Sequence, residues 1–318
     1  MIQLVDNGRS GFAMKSAPSN LEAVGLALAG FTFWVLADTS IKMVGSSRLP
    51  AYEVLAFLGL SVMALLILRG LWRGDAKAVW PKRPKRQLVR SCLDLGNNIC
   101  VVVALRHLPL SLFYILVFMS PMVITLLAAL FLHERLELRR TIAILAGFVG
   151  VVVAVDPFGS SRQGDWMGVA ACMVCVACFS VNMVWSRVMT QSETPESLTF
   201  LSGALMAVTG FGCMLWHAEP LTMRLAATLC AMGLFCACGS ICFFVAVKHT
   251  SAASVSQYHY TQLISGALIG YLIWHEKPTV SMMIGGSVIL LSGVYIALVA
   301  ARQRREELPL FPFVPFEE

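Results

Sequence analysis

The sequence predicts an all-α polytopic membrane protein with ten transmembrane helices, arranged as two inverted five-helix repeats. Three observations support this prediction: an apolar composition, ten apolar runs of spanning length, and a pair of His-Glu motifs at matched spacing. The 318 residues are 58% hydrophobic and 13% charged, with a mean hydropathy of +0.75. A soluble domain carries about 25% charged residues. The composition therefore argues against a soluble enzyme, a nucleic-acid-binding protein or a disordered chain.

Ten apolar runs account for most of the chain, and each approaches the roughly 20 residues that a spanning helix needs. Most connections are short, so neighbouring helices are expected to be antiparallel. Asn20 is a candidate N-cap before the first run. The stretch 1–20 is polar, which argues against a cleavable signal peptide. The runs are 21–45, 51–71, 88–106, 110–132, 141–157, 166–188, 196–216, 224–247, 251–274 and 279–300.

The basic residues predict the orientation in the membrane. Cytoplasmic loops of membrane proteins are enriched in Lys and Arg. With the N-terminus inside and ten alternating spans, 18 of the 24 Lys and Arg residues fall on the cytoplasmic side. This bias favours two cytoplasmic termini. It also explains the net charge of +6 without a nucleic-acid partner.

A spacing repeat divides the chain into two halves. Arg106-His107 is followed by His133-Glu134, and Lys248-His249 is followed by His275-Glu276. The separation between the two motifs is the same in both copies, so one constant offset relates the copies without a gap. Each half then holds five helices. Because five is odd, the second half enters the membrane inverted, as in carriers whose site lies near the midplane between the halves.

The segments LFLHERLELRRTIAILAGFVGVVVAV and LIWHEKPTVSMMIGGSVILLSGVYIAL resemble the EamA branch of the drug/metabolite transporter (DMT) superfamily, as does ALRHLPLSLFYILVFMSPMVITLLAALFLHER. The resemblance covers roughly residues 21–300. It implies ten helices, alternating access, and a cavity walled by the first, third, fourth, sixth, eighth and ninth spans. It also implies small-metabolite substrates such as amino acids and their derivatives. The implied division is a cytoplasmic tail 1–20, a first repeat 21–157, a linker 158–165, a second repeat 166–300 and a cytoplasmic tail 301–318.

One detail departs from the repeat. Gly147 and Gly150 in the first half are out of register with Gly285, Gly286 and Gly293 in the second. The helices after the two His-Glu hairpins are therefore expected to pack differently.

Four charged residues interrupt the spans, where charges are costly and usually functional. Asp38 precedes Lys42, and Arg90 precedes Asp94, each by about one helical turn. Residues at this spacing are neighbours on a helix. One interpretation is two intrahelical ion pairs that lower the cost of insertion. The other is that Asp38 or Asp94 binds a substrate ammonium or exchanges a proton.

Asp94, Asn97 and Asn98 share one helix face near the middle of the third span. Polar groups at that depth need a partner helix or a wet cavity. We predict that the three residues line a substrate cavity, with interhelical hydrogen bonding as the alternative.

The ninth span contributes a second polar cluster. Tyr258, His259 and Gln262 are predicted to face the third span across the cavity, where the rings suit an amphipathic or planar ligand. The alternative is an aromatic belt at the membrane interface. His259 is also a candidate for proton coupling because imidazole titrates near neutral pH.

The fourth span is predicted to bend at Pro121, which removes an intrahelical hydrogen bond and frees a carbonyl. Tyr114 and Phe118, one turn apart, are predicted to line the same path. Trp34 in the first span and Asn182 in the sixth are weaker binding candidates.

Several motifs favour structure over chemistry. The ten cysteines lie in apolar runs, which favours packing over metal or redox roles. Neither His-Glu motif completes the HExxH pattern of a zinc protease, and a structural role in the hairpin fits both copies. No phosphate-binding loop is present in the sequence. We predict no catalytic residue, metal or cofactor.

These features together predict a secondary transporter of a small metabolite, an amino acid or derivative, with export as the expected direction. The first alternative is an uptake carrier for a planar heteroaromatic metabolite such as a vitamin or nucleoside-like compound. Distant alternatives are a membrane-embedded lipid-modifying enzyme and a receptor or scaffold. The expected partners are the substrate and the bilayer of a bacterial inner membrane. Monomer and homodimer both remain open.

Overall fold

The computed structural model describes residues 20–45, 49–74, 79–132, 138–156, 165–190, 192–249 and 260–307. These ranges are almost entirely α-helical and contain no strand. A helix satisfies its own backbone polar groups, as lipid requires. The helices are α1 (Asn20–Gly45), α2 (Ala51–Arg73), α3 (Pro84–His107), α4 (Leu110–Val117), α5 (Ser120–Leu132), α6 (Leu138–Val155), α7 (Trp166–Met189), α8 (Pro195–Met214), α9 (Met223–His249), α10 (Tyr260–Trp274) and α11 (Val280–Glu307).

Seven described stretches are long and apolar enough to cross a membrane: Glu22–Gly45, Ala51–Trp72, Pro84–His107, Leu110–Leu127, Trp166–Ser186, Pro195–Met214 and Met223–Ala246. Three shorter apolar helices accompany them, Thr141–Val155, Thr261–Trp274 and Val280–Ile296. Two boundaries differ from the prediction. Helix α3 begins about one turn before the predicted run, with Pro84 in its first turn, where proline is well tolerated. Helix α11 continues to Glu307, into the predicted tail.

The predicted bend in the fourth span is a break between α4 and α5. Phe118 and Met119 form a turn there. Pro121 has no N–H to offer the carbonyl of Val117, one turn earlier. The hydroxyl of Ser120 donates to that carbonyl at 2.6 Å instead. The break therefore leaves the freed carbonyl satisfied.

The most extensive helix contacts join the two halves of the chain. We call α1–α6 the first half and α7–α11 the second half. The four most extensive pairs are α1 with α9, α2 with α8, α3 with α7, and α6 with α11. Each pair contains one helix from each half, so the halves interdigitate rather than forming separate bundles.

Glycines allow two of these pairs to approach closely. A Cβ at Gly210 of α8 would lie 2.5 Å from the backbone nitrogen of Ala56 and from the carbonyl oxygen of Tyr52 in α2. A Cβ at Gly150 of α6 would lie 2.9 Å from the carbonyl oxygen of Gly285 in α11. Of the out-of-register glycines, Gly150 and Gly285 therefore meet at the crossing of α6 and α11, whereas Gly147 faces Met122 and Gly286 faces Ile115. Small residues permit this backbone approach in membranes.

Two buried glutamates form hydrogen bonds between the two halves, at opposite ends of the antiparallel α2–α8 pair. The carboxylate of Glu53, at the start of α2, accepts the backbone N–H of Glu219 at 2.7 Å, shortly before α9. The carboxylate of Glu193, just before α8, accepts the backbone N–H groups of Lys82 at 3.0 Å and Arg83 at 2.7 Å, just before α3. Glu193 thus stabilises the start of α3, whereas Glu53 holds the loop that precedes α9.

A third glutamate, Glu276, is partly buried and pairs with a lysine. The Glu276 carboxylate accepts the backbone N–H of Leu110, the first residue of α4, at 2.8 Å. It also forms an ion pair with Lys42 near the end of α1. Lys42 donates to the carbonyl of Leu108 at 3.1 Å and lies 5.2 Å from the ring centre of Trp274. His275 takes a left-handed conformation with φ 55° at the end of α10, which places Glu276. This geometry fits a structural role for the second His-Glu motif. Residues 133–137, which carry the first motif, lie outside the described residues.

Candidate substrate cavity

A cavity of about 150 Å³ lies between the two halves. The predicted walls from the first, third, fourth, sixth, eighth and ninth spans contribute, but the prediction omitted the second and seventh. Leu58 and Val62 of α2, and Thr199, Ser202 and Met206 of α8, also line the cavity. The glycine contacts between α2 and α8 explain why this pair reaches the cavity.

The third span contributes the predicted polar face. Asp94, Asn97 and Asn98 all line the cavity. The Asn97 side-chain oxygen accepts from the Cys175 thiol at 3.2 Å, and the Asn98 amide donates to the backbone carbonyl of Asp94 at 2.8 Å. A cavity lining and an interhelical hydrogen bond, the one between Cys175 and Asn97, therefore coexist on this face.

Arg90 is not ion-paired with Asp94, so the predicted intrahelical pair is wrong. The Arg90 guanidinium reaches across to α7 and α8, and Asn182 stands between the two charges. The Asn182 oxygen accepts from Arg90 at 3.3 Å, and its amide nitrogen donates to Asp94 at 3.2 Å. Helical side chains lean towards the helix N-terminus, which carries Arg90 away from the residue one turn later. Asn182, a weaker candidate in the sequence, thus joins the two charges.

The second predicted intrahelical pair is also wrong. The Asp38 carboxylate accepts the hydroxyl of Tyr114 at 2.8 Å, whereas Lys42 binds Glu276. A partner from another helix replaces the neighbour on the same helix in both cases. Asp38 and Tyr114 line the cavity. A Cβ at Gly266 of α10 would overlap the Tyr114 ring, so this glycine leaves the ring its space.

The remaining predicted residues divide into three groups. Trp34 lines the cavity, and its indole N–H is 3.4 Å from the Ser240 hydroxyl. Gln262 also lines it, and its amide donates to the backbone carbonyl of Phe31 at 3.2 Å, which joins α10 to α1. Phe118 is buried in the turn between α4 and α5 but does not line the cavity. Tyr258 and His259 lie outside the described residues.

Sequence reasoning found Asn182 on α7 but missed Ser186 on the same helix and Thr199 and Ser202 on α8. Ser186 lies one turn after Asn182, and Ser202 lies one turn after Thr199. All four line the cavity. The shared-face argument that identified Asp94 would have found both pairs, but serine and threonine are common in spans because they can bond to their own helix.

Aromatic side chains supply much of the remaining wall. Trp34 and Phe243 are tilted rings with centroids 4.9 Å apart, and Phe113 meets Tyr114 edge to face at 5.3 Å. Phe179 and Phe244 complete the aromatic lining. In the described part of the chain, no group of three or more His, Cys, Asp or Glu side chains is placed to hold a metal ion. The cavity can thus offer opposite charges, amides and ring faces to an organic molecule.

Comparison with known proteins identifies the family to which the chain belongs. The model of the EamA-like transporter family matches twice, over residues 21–155 and 166–299. The pseudopaline exporter CntI of Pseudomonas aeruginosa is 27% identical over 272 residues, covering 85% of this chain and 93% of the relative. A riboflavin transporter of Rhizobium johnstonii is 26% identical over 314 residues, covering 96% and 99%.

Two further comparisons agree. An S-adenosylmethionine uptake transporter of Rickettsia bellii is 22% identical over 262 residues, covering 81% of this chain and 87% of the relative. A solved crystal structure shares the fold with a TM-score of 0.65 at 18% identity, covering 90% of this chain and 99% of that chain. The family and these relatives are membrane transporters rather than enzymes, which removes the lipid-modifying alternative. This multi-pass membrane protein belongs to the EamA-like transporter family.

Proposed function

We propose that the protein is a secondary transporter that moves a small metabolite, an amino acid or derivative, out of the cell by alternating access. The observation that carries the proposal is the cavity between the halves, with Asp94 and Arg90 in its wall. Ten transmembrane helices form two inverted repeats, 21–157 and 166–300, joined by the linker 158–165. The tails 1–20 and 301–318 lie in the cytoplasm of a bacterial cell.

The helix contacts support the inverted repeat. The two halves can be compared by exchanging each predicted span with the span five positions later, where α4 and α5 together count as the fourth span. Under this exchange α1 corresponds to α7 and α9 corresponds to α3, so the α1–α9 contact corresponds to the α7–α3 contact. The same exchange returns the α2–α8 and α6–α11 contacts to themselves. The glutamate bridges follow the same exchange, because Glu53 binds the loop that precedes α9 and Glu193 binds the residues just before α3. These matches fit two halves related by a two-fold axis in the membrane plane.

The substrate class and direction are inferred from the cavity and from CntI. A carboxylate and several amides in one cavity suit an ammonium-bearing metabolite. The pseudopaline exporter CntI covers most of the chain, which favours export. Rocking of the two halves would expose the cavity to one side of the membrane and then to the other.

Replacing the Asp94 carboxylate is expected to weaken transport without preventing insertion. Charged hydrogen bonds are worth about 1.5 to 3 kcal/mol, so transport efficiency in Asp94→Asn should fall about 10- to 100-fold. A thermal-shift screen of metabolites on the purified protein first identifies a binder, and flux of that binder into proteoliposomes then compares the variants. Asp156→Asn is the matched control, because Asp156 lies off the cavity and binds Ser281. Unchanged kinetics in Asp94→Asn would remove Asp94 from the binding site.

Asp38 is the favoured residue for proton coupling among Asp38, Asp94 and His259. Its hydrogen-bond partner is the neutral Tyr114 hydroxyl, whereas Asp94 is separated from the Arg90 guanidinium only by the Asn182 amide, and that nearby cation favours a permanently charged carboxylate. Asp38→Asn is expected to abolish the stimulation of flux by an imposed pH gradient, while exchange of labelled for unlabelled substrate continues. Flux into vesicles with and without the gradient measures the effect. Gradient-driven flux that persists in Asp38→Asn would assign coupling elsewhere.

A second candidate is uptake of a planar heteroaromatic metabolite. Among the described residues, six aromatic side chains line the cavity, Trp34, Phe113, Tyr114, Phe179, Phe243 and Phe244, and ring faces bind planar ligands by stacking. The riboflavin transporter of Rhizobium johnstonii covers nearly the whole chain. Riboflavin flux into the same proteoliposomes tests this candidate directly.

A further inference from the structure

A groove between α6 and α11 lies on the outside of the bundle, apart from the substrate cavity. It has a volume of about 520 Å³ and is lined by Arg139, Ile142, Ala143, Leu291, Ser292 and Tyr295. The first three residues belong to α6 and the last three to α11, so the groove joins the two halves of the chain. None of these six residues lines the substrate cavity.

The groove lies at the level where the apolar layer of the membrane ends. The two helices are antiparallel, because Asp156, just after α6, binds Ser281 near the start of α11. Arg139 lies just before the apolar part of α6, and Tyr295 lies close to the end of the apolar part of α11. Arginine and tyrosine are typical of this boundary, where lipid headgroups begin.

Three polar groups in the groove have no partner among the described residues. They are the guanidinium of Arg139 and the hydroxyls of Ser292 and Tyr295. Ser292 is only 7% exposed. A serine at such a position usually donates to the carbonyl one turn earlier in its own helix, and a buried polar group without a partner is costly. A ligand that accepts hydrogen bonds would satisfy these groups.

The charge at this end of α6 favours an anion. A guanidinium binds a phosphate through parallel N–H groups. The first turn of α6 contains Arg139 and no acidic residue. The backbone N–H groups at the start of a helix add a partial positive charge. A phosphate in the groove would therefore meet the Arg139 side chain and the positive end of the helix together.

The surface beside the groove is apolar and suits an acyl chain. Ile142, Leu145 and Val149 of α6 are each more than half exposed and share one helix face, which runs from the groove towards the middle of the membrane. Leu291 of α11 is exposed at the groove itself. A ligand with an anionic head and a hydrocarbon tail thus matches both parts of this surface.

We propose that an anionic phospholipid binds in the α6–α11 groove, with its phosphate on Arg139 and one acyl chain along the apolar face of α6. The bound lipid would contact both halves of the chain and stabilise their association. The proposed orientation places this end of α6 on the cytoplasmic side, where basic pockets between transmembrane helices bind anionic headgroups. This site is separate from the substrate cavity and holds for any transported substrate.

A second copy of the chain is the competing occupant of the groove. A symmetric dimer would place the same face of both copies together. Each copy would then bring its own Arg139, which adds a second cation rather than an anion. The charge of the groove therefore favours the lipid over the dimer.

Native mass spectrometry of the full chain in a non-ionic detergent tests the proposal. The probes are dioleoyl phosphatidylglycerol, dioleoyl phosphatidylcholine with the same acyl chains, and glycerol 3-phosphate, which has no acyl chain. Wild type should bind one phosphatidylglycerol about tenfold more tightly than phosphatidylcholine, as one charged hydrogen bond predicts. Glycerol 3-phosphate should neither bind measurably nor displace the lipid.

Three variants separate the headgroup contact from the groove. Arg139→Gln should remove most of the preference for phosphatidylglycerol. Arg224→Gln, which changes an exposed arginine at the start of α9, is the matched control and should keep the preference. Ala143→Leu fills the groove without changing its charge, so it should weaken the binding of both lipids.

Four results would overturn the lipid site. The first is equal binding of the two lipids by wild type. The second is an equal loss of preference in Arg139→Gln and Arg224→Gln, which would indicate general surface charge. The third is tight binding of glycerol 3-phosphate alone, which would indicate a site for free phosphate esters. The fourth is a dimer that dissociates in Ala143→Leu, which would assign the groove to a second copy.

Discussion

Gly210→Ala is expected to lower the apparent melting temperature of the purified protein, whereas Gly212→Ala, slightly further along the same helix, is not. The new methyl group at position 210 would meet the backbone of Ala56 and Tyr52 at 2.5 Å. Backbone atoms cannot turn aside as a flexible side chain can. The α2 and α8 helices must therefore separate, and overpacking of this kind costs about 1 to 3 kcal/mol or more.

The control variant, Gly212→Ala, is not expected to destabilise the protein. A Cβ at Gly212 meets nothing within 4 Å. Alanine favours a helix over glycine by about 1 kcal/mol, so Gly212→Ala should leave stability unchanged or slightly higher. The difference between the two variants isolates the contact with α2 from helix propensity.

Gly59→Ala tests the same packing from the other helix. A Cβ there would clash with the Gly203 carbonyl and lie 2.5 Å from the nitrogen of Ala207. Both glycine variants should also reduce transport, because α2 and α8 line the cavity. Melting curves in detergent and flux in proteoliposomes provide the measurements. Equal stability of Gly210→Ala and Gly212→Ala would contradict the close α2–α8 contact.

The spans could be predicted because lipid leaves a helix as the only structure that satisfies the backbone of an apolar run. The break at Pro121 could be predicted for a local reason, the missing N–H. The shared face of Asp94 and its two neighbouring asparagines follows from helix geometry alone. Each of these features depends on residues that are close in the sequence.

The partners of the charged residues could not be predicted in the same way. Lys42 has Asp38 one turn away and Glu276 far away in sequence, yet it binds Glu276. Arg90 has Asp94 one turn away and binds neutral groups on α7 and α8 instead. Helix spacing indicates which contacts within one helix are possible, but the packing of the two halves determines which contact forms. The repeat spacing predicted two halves, and the family model matches the chain twice, but the spacing could not predict that α2 and α8 would meet.

Removing one partner of the ion pair between Lys42 and Glu276 is expected to destabilise its end of the bundle. The two side chains are only 10% and 14% exposed. Removing one partner of a buried ion pair typically costs about 3 to 5 kcal/mol, because the other charge is left without compensation. Lys42→Met and Glu276→Gln should each lower the apparent melting temperature. Glutamine keeps an acceptor for the Leu110 N–H. The loss of stability in Glu276→Gln therefore reports mainly the removal of the negative charge.

The double variant distinguishes an ion pair from two independent contacts. Lys42→Met combined with Glu276→Gln leaves no uncompensated charge, so it should be clearly more stable than the sum of the single losses predicts. Losses that add would show that the two residues act separately. Lys42 belongs to α1, and Glu276 to the turn between α10 and α11, so the pair joins the two halves that are proposed to rock apart. If this end of the bundle opens during each cycle, the double variant should change the transport rate even where its stability is recovered. If the pair instead stays intact throughout the cycle and only stabilises the fold, the double variant with recovered stability should transport at the wild-type rate.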